Sequence, residues 1–414
     1  MDSAAKQLVR MLDELGRVTD EPGRLTRTFL SPAMKRANVL VGGWMKAAGL
    51  KTRVDTVGNL IGRLEAPPAS HLAPKTLLLG SHLDTVRDAG RFDGPLGVLL
   101  PIAALAELKR RGVQLPFAVE VLGFSEEEGV RFASAYLGSE GYTGRLKTST
   151  LGLRDADGVS AGDVLRKFNG GKFTAPKPAH ARRELLGYVE VHIEQGPVLE
   201  ARKFAVGVVS AIAGQSRFKL TWTGQAGHAG TTPMALRRDA LVAAAEFTLG
   251  VETLARRTPG LVATIGSLDV SPSAANVIPG QVTHTLDVRH ADDRVRRRGL
   301  MALGRLATQI ARRRNVSRAW QRTQENGATR CSPTLTARLE RSVKAVQGRS
   351  LSLVSGAGHD GVVMSALCPV AMLFVRCRGG LSHHPAEYAS PRDLAVALQV
   401  TIDFLQELAA DPRA

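Results

Sequence analysis

Five short segments of the sequence carry residue types that could bind metal ions, and each follows an apolar run typical of a buried strand. They contain histidines and carboxylates, which suit zinc, manganese, cobalt or nickel without any thiolate. Open α/β sheets place their chemistry at the carboxyl ends of strands, where these segments fall. The set therefore predicts a hydrolase with two metal ions. The segments are residues 80–86, 92–94, 125–129, 191–196 and 380–385.

The positions of two aspartates indicate how such a site would be arranged. Asp84 lies two residues after His82, and a carboxylate commonly holds the second nitrogen of a ligating imidazole. Asp93 precedes Gly94 in a predicted turn before a helix, and is well placed to bridge two ions. We therefore expect Asp84 to orient His82 and Asp93 to lie between the ions.

The adjacent carboxylates Glu127 and Glu128 cannot easily point at the same ion. One can bind a metal while the other takes a proton from the attacking water. His192 and His383 would supply the remaining imidazoles. Adjacent glutamates are usually a solvated surface and a lone histidine is more often structural, but the joint occurrence of these residues after apolar runs argues for a site.

The composition is that of a globular protein long enough for two domains. The chain has 414 residues, 44% of them hydrophobic and 22% charged. No apolar run reaches the length of a membrane span, and Leu8, Leu12 and Leu15 predict an amphipathic N-terminal helix rather than a signal peptide. The 3 cysteines, without metal-type pair spacing, favour a reducing cytoplasm and no disulfide framework.

The formal net charge of +17 leaves open a different class of function, a non-catalytic basic binding protein. Nucleic acids and membrane surfaces attract such charge. However, the arginine pairs and triplets are scattered through predicted helices, and only 5% of the residues are aromatic, which leaves little stacking surface for single strands. We expect no nucleic-acid or membrane partner, and infer that the charge attracts a small anionic substrate.

The order of predicted elements divides the chain into two domains. Over residues 1–212 and 330–414 strand and helix alternate, which predicts an α/β domain with a mixed, largely parallel sheet flanked by helices. Over residues 213–329 the order becomes strand-helix-strand-strand-helix-strand, typical of a ferredoxin-like α+β domain. Its first helix is predicted from Pro233 to Glu252 and its second from Asp292 to Arg313. We expect this inserted domain to act as a lid or dimerisation domain.

Three residues of the inserted domain are candidates for substrate binding. His228 lies in a glycine-rich loop that could approach a ligand and polarise its carbonyl, although a plain turn is the simpler interpretation. Arg289 ends a predicted strand and could clamp a carboxylate, although on the sequence alone it is one surface arginine among many, and Asn276, in a turn, could complete the recognition.

These motifs resemble those of hydantoinase/carbamoylase-type amidases, which belong to the dinuclear metallopeptidase superfamily of aminoacylases and carboxypeptidases. The similarity covers nearly the whole chain, from residues 25–27 and 57–59 to the Ser-His motif at residues 382–383. It implies two divalent metal ions, Zn, Mn, Co or Ni. The ligands that it implies are His82 and His192 for one ion, Glu128 and His383 for the other, and Asp93 as the bridge.

The resemblance also implies roles outside the ligand set. Glu127 would be the general base, and His228 would reach the metal site of a neighbouring subunit, which implies a homodimer. The residues implied in catalysis are Glu127, Asp84 and His228, and those implied in substrate binding are Gln215, His228, Asn276, Arg289, Gly358 and His359.

The expected reaction is hydrolysis of a ureido or carbamoyl C–N bond in a small carboxylate. Glu127 would activate water and then protonate the leaving nitrogen, with ammonia, carbon dioxide and an amine as products. Allantoate is the first expected substrate and an N-carbamoyl-L-amino acid is the alternative. An aminoacylase or peptidase comes third, because peptidase relatives often carry a carboxylate where this chain has His192.

Overall fold

The computed structural model describes residues 3–67 and 75–411. In this part of the chain no helix is long and apolar enough to cross a bilayer. The α-helices are α1 (Ser3–Leu15), α2 (Pro32–Ala47), α3 (Pro95–Arg110), α4 (Leu137–Tyr142), α5 (Ala161–Phe168), α6 (Val198–Ala201), α7 (Ala240–Arg257), α8 (Asp293–Arg313), α9 (Pro333–Gln347), α10 (Gly361–Met364) and α11 (Pro391–Ala410).

The strands follow the same chain order. They are β1 (Lys51–Val54), β2 (Leu60–Leu64), β3 (Thr76–His82), β4 (Ala118–Phe124), β5 (Leu185–Ile193), β6 (Val206–Ile212), β7 (Gly214–Thr223), β8 (Gly227–His228), β9 (Val262–Thr264), β10 (Leu268–Ser271), β11 (Val277–Ile278), β12 (Gln281–His290), β13 (Ser317–Asn326), β14 (Thr329–Arg330), β15 (Ser352–Ser355) and β16 (Val370–Val375).

The chain folds into two compact units. One comprises Met1–Ser210 and Cys331–Ala414, and the other comprises Ala211–Arg330. The second unit is therefore an insertion in the first, with boundaries one or two residues from the predicted ones. Its role as a lid or dimerisation domain stays a prediction.

A mixed sheet forms the first unit, with the strand order β1-β2-β4-β3-β5-β16-β6. The strands β4, β3, β5 and β16 are parallel to one another. β1 and β2 on one side and β6 on the other pair antiparallel. The predicted α/β class with a mixed sheet is confirmed, and its four central strands are parallel.

Burial explains why these four strands lie at the centre. Every residue of β3, β4, β5 and β16 is buried, as expected for strands covered on both faces. Leu79 of β3 shares one hydrophobic core with Leu8 of α1, Leu99 of α3 and Leu398 of α11. The interiors of these strands are thus mainly apolar, and the predicted ligands lie at or after the strand ends.

The second unit contains an antiparallel sheet in the order β10-β12-β7-β13, with β9 also paired to β12. α7 follows β7 and α8 follows β12, which is the predicted ferredoxin-like order. Trp222 of β7 and Val282 of β12 pack with Phe247 of α7 and Leu303 of α8 in a separate core.

The first helix of this unit begins later than predicted. The side chain of Asp239 accepts hydrogen bonds from the N–H groups of Leu241 and Val242, so that α7 begins at Ala240. Pro233 instead precedes a short 3-10 turn, Met234–Leu236. The predicted start at Pro233 was wrong because a proline suits a turn as well as a first helical turn, whereas the aspartate is a strong N-cap.

Candidate active site

The carboxyl ends of the parallel strands bring the predicted ligands together. His82 is the last residue of β3, Glu127 and Glu128 follow β4, and His192 is the penultimate residue of β5. Parallel strands end at the same edge of a sheet, so their terminal side chains meet there. His383 reaches this edge from the segment that follows β16.

Two groups of possible ligands share Asp93. The ligand atoms of His82, Asp93 and His192 lie within 4.8 Å of one another, as do those of Asp93, Glu128 and His383. The Nε2 atoms of His82 and His192 lie 3.6 and 3.1 Å from Asp93 Oδ1. His383 Nε2 lies 3.4 Å from Asp93 Oδ2 and 3.5 Å from Glu128 Oε1. The two oxygens of one carboxylate thus face two separate sets of ligands.

Backbone carbonyl groups orient the two buried imidazoles. His82 Nδ1 lies 3.0 Å from the Asp84 carbonyl oxygen, and His192 Nδ1 lies 2.9 Å from that of Ile193. Because a carbonyl can only accept, each Nδ1 carries the proton of the neutral imidazole, and each Nε2 faces Asp93. This is the tautomer that binds a metal ion through Nε2.

Asp84 acts mainly on the glutamates. Its Oδ1 accepts the N–H of Glu127 at 3.0 Å and its Oδ2 accepts that of Glu128 at 3.1 Å. The Asp84 Oδ1 also lies 3.4 Å from His82 Nδ1, in the direction of the predicted orienting contact. One buried carboxylate therefore joins the end of β3 to the residues after β4.

The electrostatics of the cluster favour bound cations. Burial raises the pKa of Glu127 well above its usual value, and the charge of Glu128 adds to this. Burial likewise raises the pKa of Glu128 to about 8. Two divalent ions would supply the positive charge that keeps these carboxyl groups ionised. The donor set of imidazoles and carboxylates, with no thiolate, fits zinc, manganese, cobalt or nickel.

Gly94 allows Asp93 and His82 to approach. Its φ is +81°, and a Cβ at this position would overlap the His82 ring. An L-residue here would be strained by its backbone and would also displace a candidate ligand. The glycine beside the predicted bridging residue is therefore a steric requirement of the site.

The structure adds three residues around Asp93 that sequence reasoning did not assign. Gln195 Nε2 donates to Asp93 Oδ2 at 2.8 Å, and the Ser382 hydroxyl also donates to that oxygen. Glu387 Oε1 accepts the backbone N–H of Asp93 at 3.1 Å. Gln195 and Ser382 lie within the motifs that were singled out, whereas only the tertiary structure reveals Glu387.

The predicted substrate residues Gly358 and His359 lie against Tyr136 and the candidate ligand His192, respectively. A Cβ at Gly358 would overlap the Tyr136 hydroxyl. His359 is buried, its Nε2 lies 2.8 Å from Ser355 Oγ, and its ring centroid is 4.5 Å from that of His192. Burial lowers the pKa of His359 well below its usual value, so that it packs against His192 as a neutral ring.

In the second unit, Gln215 and Arg289 face each other across β7 and β12. Both bind the same carboxylate, because Gln215 Nε2 and Arg289 Nη2 donate to Asp287 Oδ2 at 2.7 and 2.8 Å. Arg289 Nε also donates to Asp287 Oδ1 at 3.0 Å. Asp287 was not predicted; its position two residues before Arg289, on the same side of a strand, is the signal that could have indicated it.

His228 and Asn276 form a second group in this unit. β8 and β11 pair His228 with Val277, and the Asn276 carbonyl accepts the N–H of Ala229 at 2.9 Å. His228 Nδ1 accepts the N–H groups of Gly230 and Thr231 at 3.0 and 3.2 Å. The neutral ring therefore carries its proton on Nε2, which makes that atom a hydrogen-bond donor.

Comparisons with known proteins agree with this geometry. Residues 78–407 match the model of peptidase family M20/M25/M40. A protein named "probable allantoate deiminase" from Oryza sativa subsp. japonica is 44% identical over 442 residues, covering 99% of this chain and 89% of that protein. An N-carbamoyl-L-amino acid amidohydrolase from Geobacillus stearothermophilus is 40% identical, with 98% of each chain covered.

A solved structure also has the same fold as this chain. The crystal structure of an amidase of the hydantoinase/carbamoylase family from Burkholderia multivorans superposes with a TM-score of 0.91 at 32% identity, covering 98% of each chain. The resemblance read from the sequence motifs is thereby confirmed. The chain belongs to peptidase family M20/M25/M40 and is a hydrolase similar to the hydantoinase/carbamoylase amidases.

Proposed function

We propose that this protein is a dinuclear metal-dependent amidohydrolase that cleaves a ureido or carbamoyl C–N bond of a small carboxylate, with allantoate as the first substrate. The observation that carries the proposal is the position of Asp93, whose two carboxylate oxygens face two sets of ligands. Glu127 lies beside these sets, in one group with His82 and Glu128.

The choice of substrate rests on the names of the relatives. The rice protein at 44% identity is named for allantoate, and the Geobacillus protein at 40% is named for N-carbamoyl-L-amino acids. Both compounds carry a carboxylate and a ureido group. An N-carbamoyl-L-amino acid is therefore the second candidate, and the same groups of the chain would bind it.

Two bound divalent ions would polarise the ureido carbonyl and make water a better nucleophile near neutral pH. Glu127 takes a proton from the attacking water and gives it to the leaving nitrogen. Water and the ureido group are consumed, the C–N bonds of the carbamoyl carbon break, and ammonia, carbon dioxide and the amine are released. Each proton lost by water is recovered by a nitrogen.

The second unit would recognise the substrate. Arg289 is held by Asp287 in a bidentate contact, and its charge suits a carboxylate. His228 Nε2–H can donate to the carbonyl oxygen as negative charge develops on it. We further propose a homodimer in which His228 serves the neighbouring subunit's site. The net charge of +17 would attract the anionic substrate.

We place the enzyme in the cytoplasm, because Cys331, Cys368 and Cys377 are all free and buried.

A substrate panel with metal-reconstituted protein tests the proposal. Ammonia release from allantoate and from several N-carbamoyl-L-amino acids is compared before and after chelation. We expect release from allantoate that chelation abolishes and that added Mn²⁺ or Zn²⁺ restores. Release from the N-carbamoyl compounds alone would select the second candidate. No metal-dependent release from any of them, together with salt-sensitive retention on nucleic acid, would support a basic binding protein instead.

A further inference from the structure

A hydrogen-bonded network links the two segments on which the proposed bridging carboxylate and His383 lie. Glu387 is 5% exposed, and its Oε1 accepts the N–H groups of Phe92 at 2.8 Å and Asp93 at 3.1 Å. Its Oε2 lies 3.2 Å from Ser382 Oγ. One side chain therefore holds the turn before α3 and the residue that precedes His383.

The network closes on the carboxylate of Asp93. The Ser382 hydroxyl donates to Asp93 Oδ2, the oxygen that faces His383. Gln195 Nε2 donates to the same oxygen at 2.8 Å and lies 3.2 Å from Ser382 Oγ. Donors from two distant parts of the chain thus determine the direction of one oxygen of Asp93.

His383 needs such support more than the other candidate ligands. Its side chain is 49% exposed and its φ is +56°, a backbone conformation that L-residues rarely adopt. His82 and His192 are instead buried in continuous strands. A ligand on an exposed, strained segment keeps its position only when the surrounding structure determines it.

We propose that Glu387 is a positioning residue for the group formed by Asp93, Glu128 and His383, and that the affinity for the ion in this group depends on it. The inference rests on the proposed dinuclear site. Residues that orient ligands typically change metal affinity by about 10- to 100-fold when they are replaced.

The test is a Mn²⁺ titration of the metal-free, full-length protein, followed by the electron paramagnetic resonance signal of the free ion. The wild type should bind two ions. Glu387→Ala should weaken the second, weaker step by about tenfold or more. Glu387→Gln should stay within about threefold of the wild type, because its amide oxygen still accepts from Phe92 and Asp93 and its amide nitrogen can donate to Ser382.

Glu194→Ala is the matched control. Its carboxylate also accepts two backbone N–H groups, from Val198 and Leu199 at 2.7 and 2.9 Å, but it does not contact Asp93 in the described structure. It should leave both binding steps near those of the wild type. An equal loss in Glu194→Ala, or in Glu387→Gln, would reduce Glu387 to a general structural role and overturn the inference.

Ser382→Ala tests the same network if Glu387→Ala does not fold, because it keeps both backbone contacts of Glu387. We expect it to weaken the second step by about fivefold, the value of one hydrogen bond. Unchanged binding of both ions in the folded variants would overturn this inference alone. A wild type that binds fewer than two ions would instead contradict the proposed function.

Discussion

The carboxylate of Asp84 accepts the backbone N–H of Glu127 at 3.0 Å, so that the proposed base is positioned through its main chain by a residue 43 positions earlier. The other oxygen of Asp84 accepts the N–H of Glu128. A single acid therefore sets the positions of both a proposed base and a proposed ligand.

Asp84→Asn should lower the affinity for metal and the kcat together, by about 10- to 100-fold. The NH2 group of the asparagine would face the backbone N–H of either Glu127 or Glu128. Because both groups are donors, that hydrogen bond would be lost. Metal titration and kcat for allantoate measure the effect. Asp239→Asn is the control, because asparagine caps α7 as well as aspartate does. Equal behaviour of the two variants would contradict the role of Asp84.

Glu127→Gln should lower kcat by about 10²- to 10⁴-fold, the usual contribution of a general base, and leave metal binding near that of the wild type. Ammonia release and the Mn²⁺ isotherm separate the two effects. Glu126→Gln is the neighbouring control, since its amide oxygen can still accept the N–H of Gly129. Unchanged turnover in Glu127→Gln would remove this residue from the mechanism.

Gly94→Ala should weaken metal binding by more than about tenfold, because the new Cβ overlaps His82. Gly23→Ala is a close control: its φ is +83°, against +81° for Gly94, but nothing lies within 4 Å of the added Cβ. Gly23→Ala should lose about 1 kcal/mol of stability from its positive φ, and Gly94→Ala should lose more, because its φ of 81° and ψ of -63° lie outside the left-handed helical region. If both retain wild-type metal affinity, the contact between Gly94 and His82 does not limit the site.

Asp287→Ala should raise KM for a carboxylate substrate by about tenfold, as expected for the loss of a charge-assisted hydrogen bond, with a smaller change in kcat. The reason is that Gln215 and Arg289 both depend on this carboxylate for their orientation. Asp269→Ala, an exposed position of the same sheet, should leave KM unchanged. A variant that lowers kcat at constant KM would indicate a different role.

His284 should make the protein less stable in mild acid. Trp222 Nε1 donates to His284 Nε2 at 2.9 Å, and burial lowers the pKa of His284 to about 4. The unfolded chain, with an ordinary histidine pKa near 6.5, binds the proton first as pH falls. The contribution of neutral His284 to the free energy of unfolding is therefore fully present above pH of about 6.5. It decreases by up to about 3 kcal/mol as the pH falls toward 4.

Urea unfolding between pH 7 and pH 4.5 measures this dependence. In His284→Gln the amide oxygen can accept from Trp222 without titrating, so the variant should lose less stability across this range than the wild type. If the free energy of unfolding depends on pH in the same way in the wild type and in His284→Gln, the lowered pKa of His284 does not contribute to stability.

Local patterns in the sequence determined the class of the fold and indicated the residues proposed for the site. Apolar runs at residues 76–79, 117–124 and 188–193 predict buried parallel strands, because strands covered on both faces have no polar alternation. Strand ends are where such sheets expose polar side chains, so the candidate ligands could be named before their distances were known.

Only the tertiary structure decided which contacts hold these residues. Glu387 reaches Phe92 across 295 positions of the chain, and Asp84 reaches Glu127 across 43. Such hydrogen bonds leave no periodic trace in the sequence, because they depend on how strands and loops meet rather than on local spacing. The start of α7 at Ala240 depends on which of two possible caps forms, and residue types alone do not distinguish them. The antiparallel direction of the strands at the sides of the first sheet likewise depends on strand pairing in the folded chain.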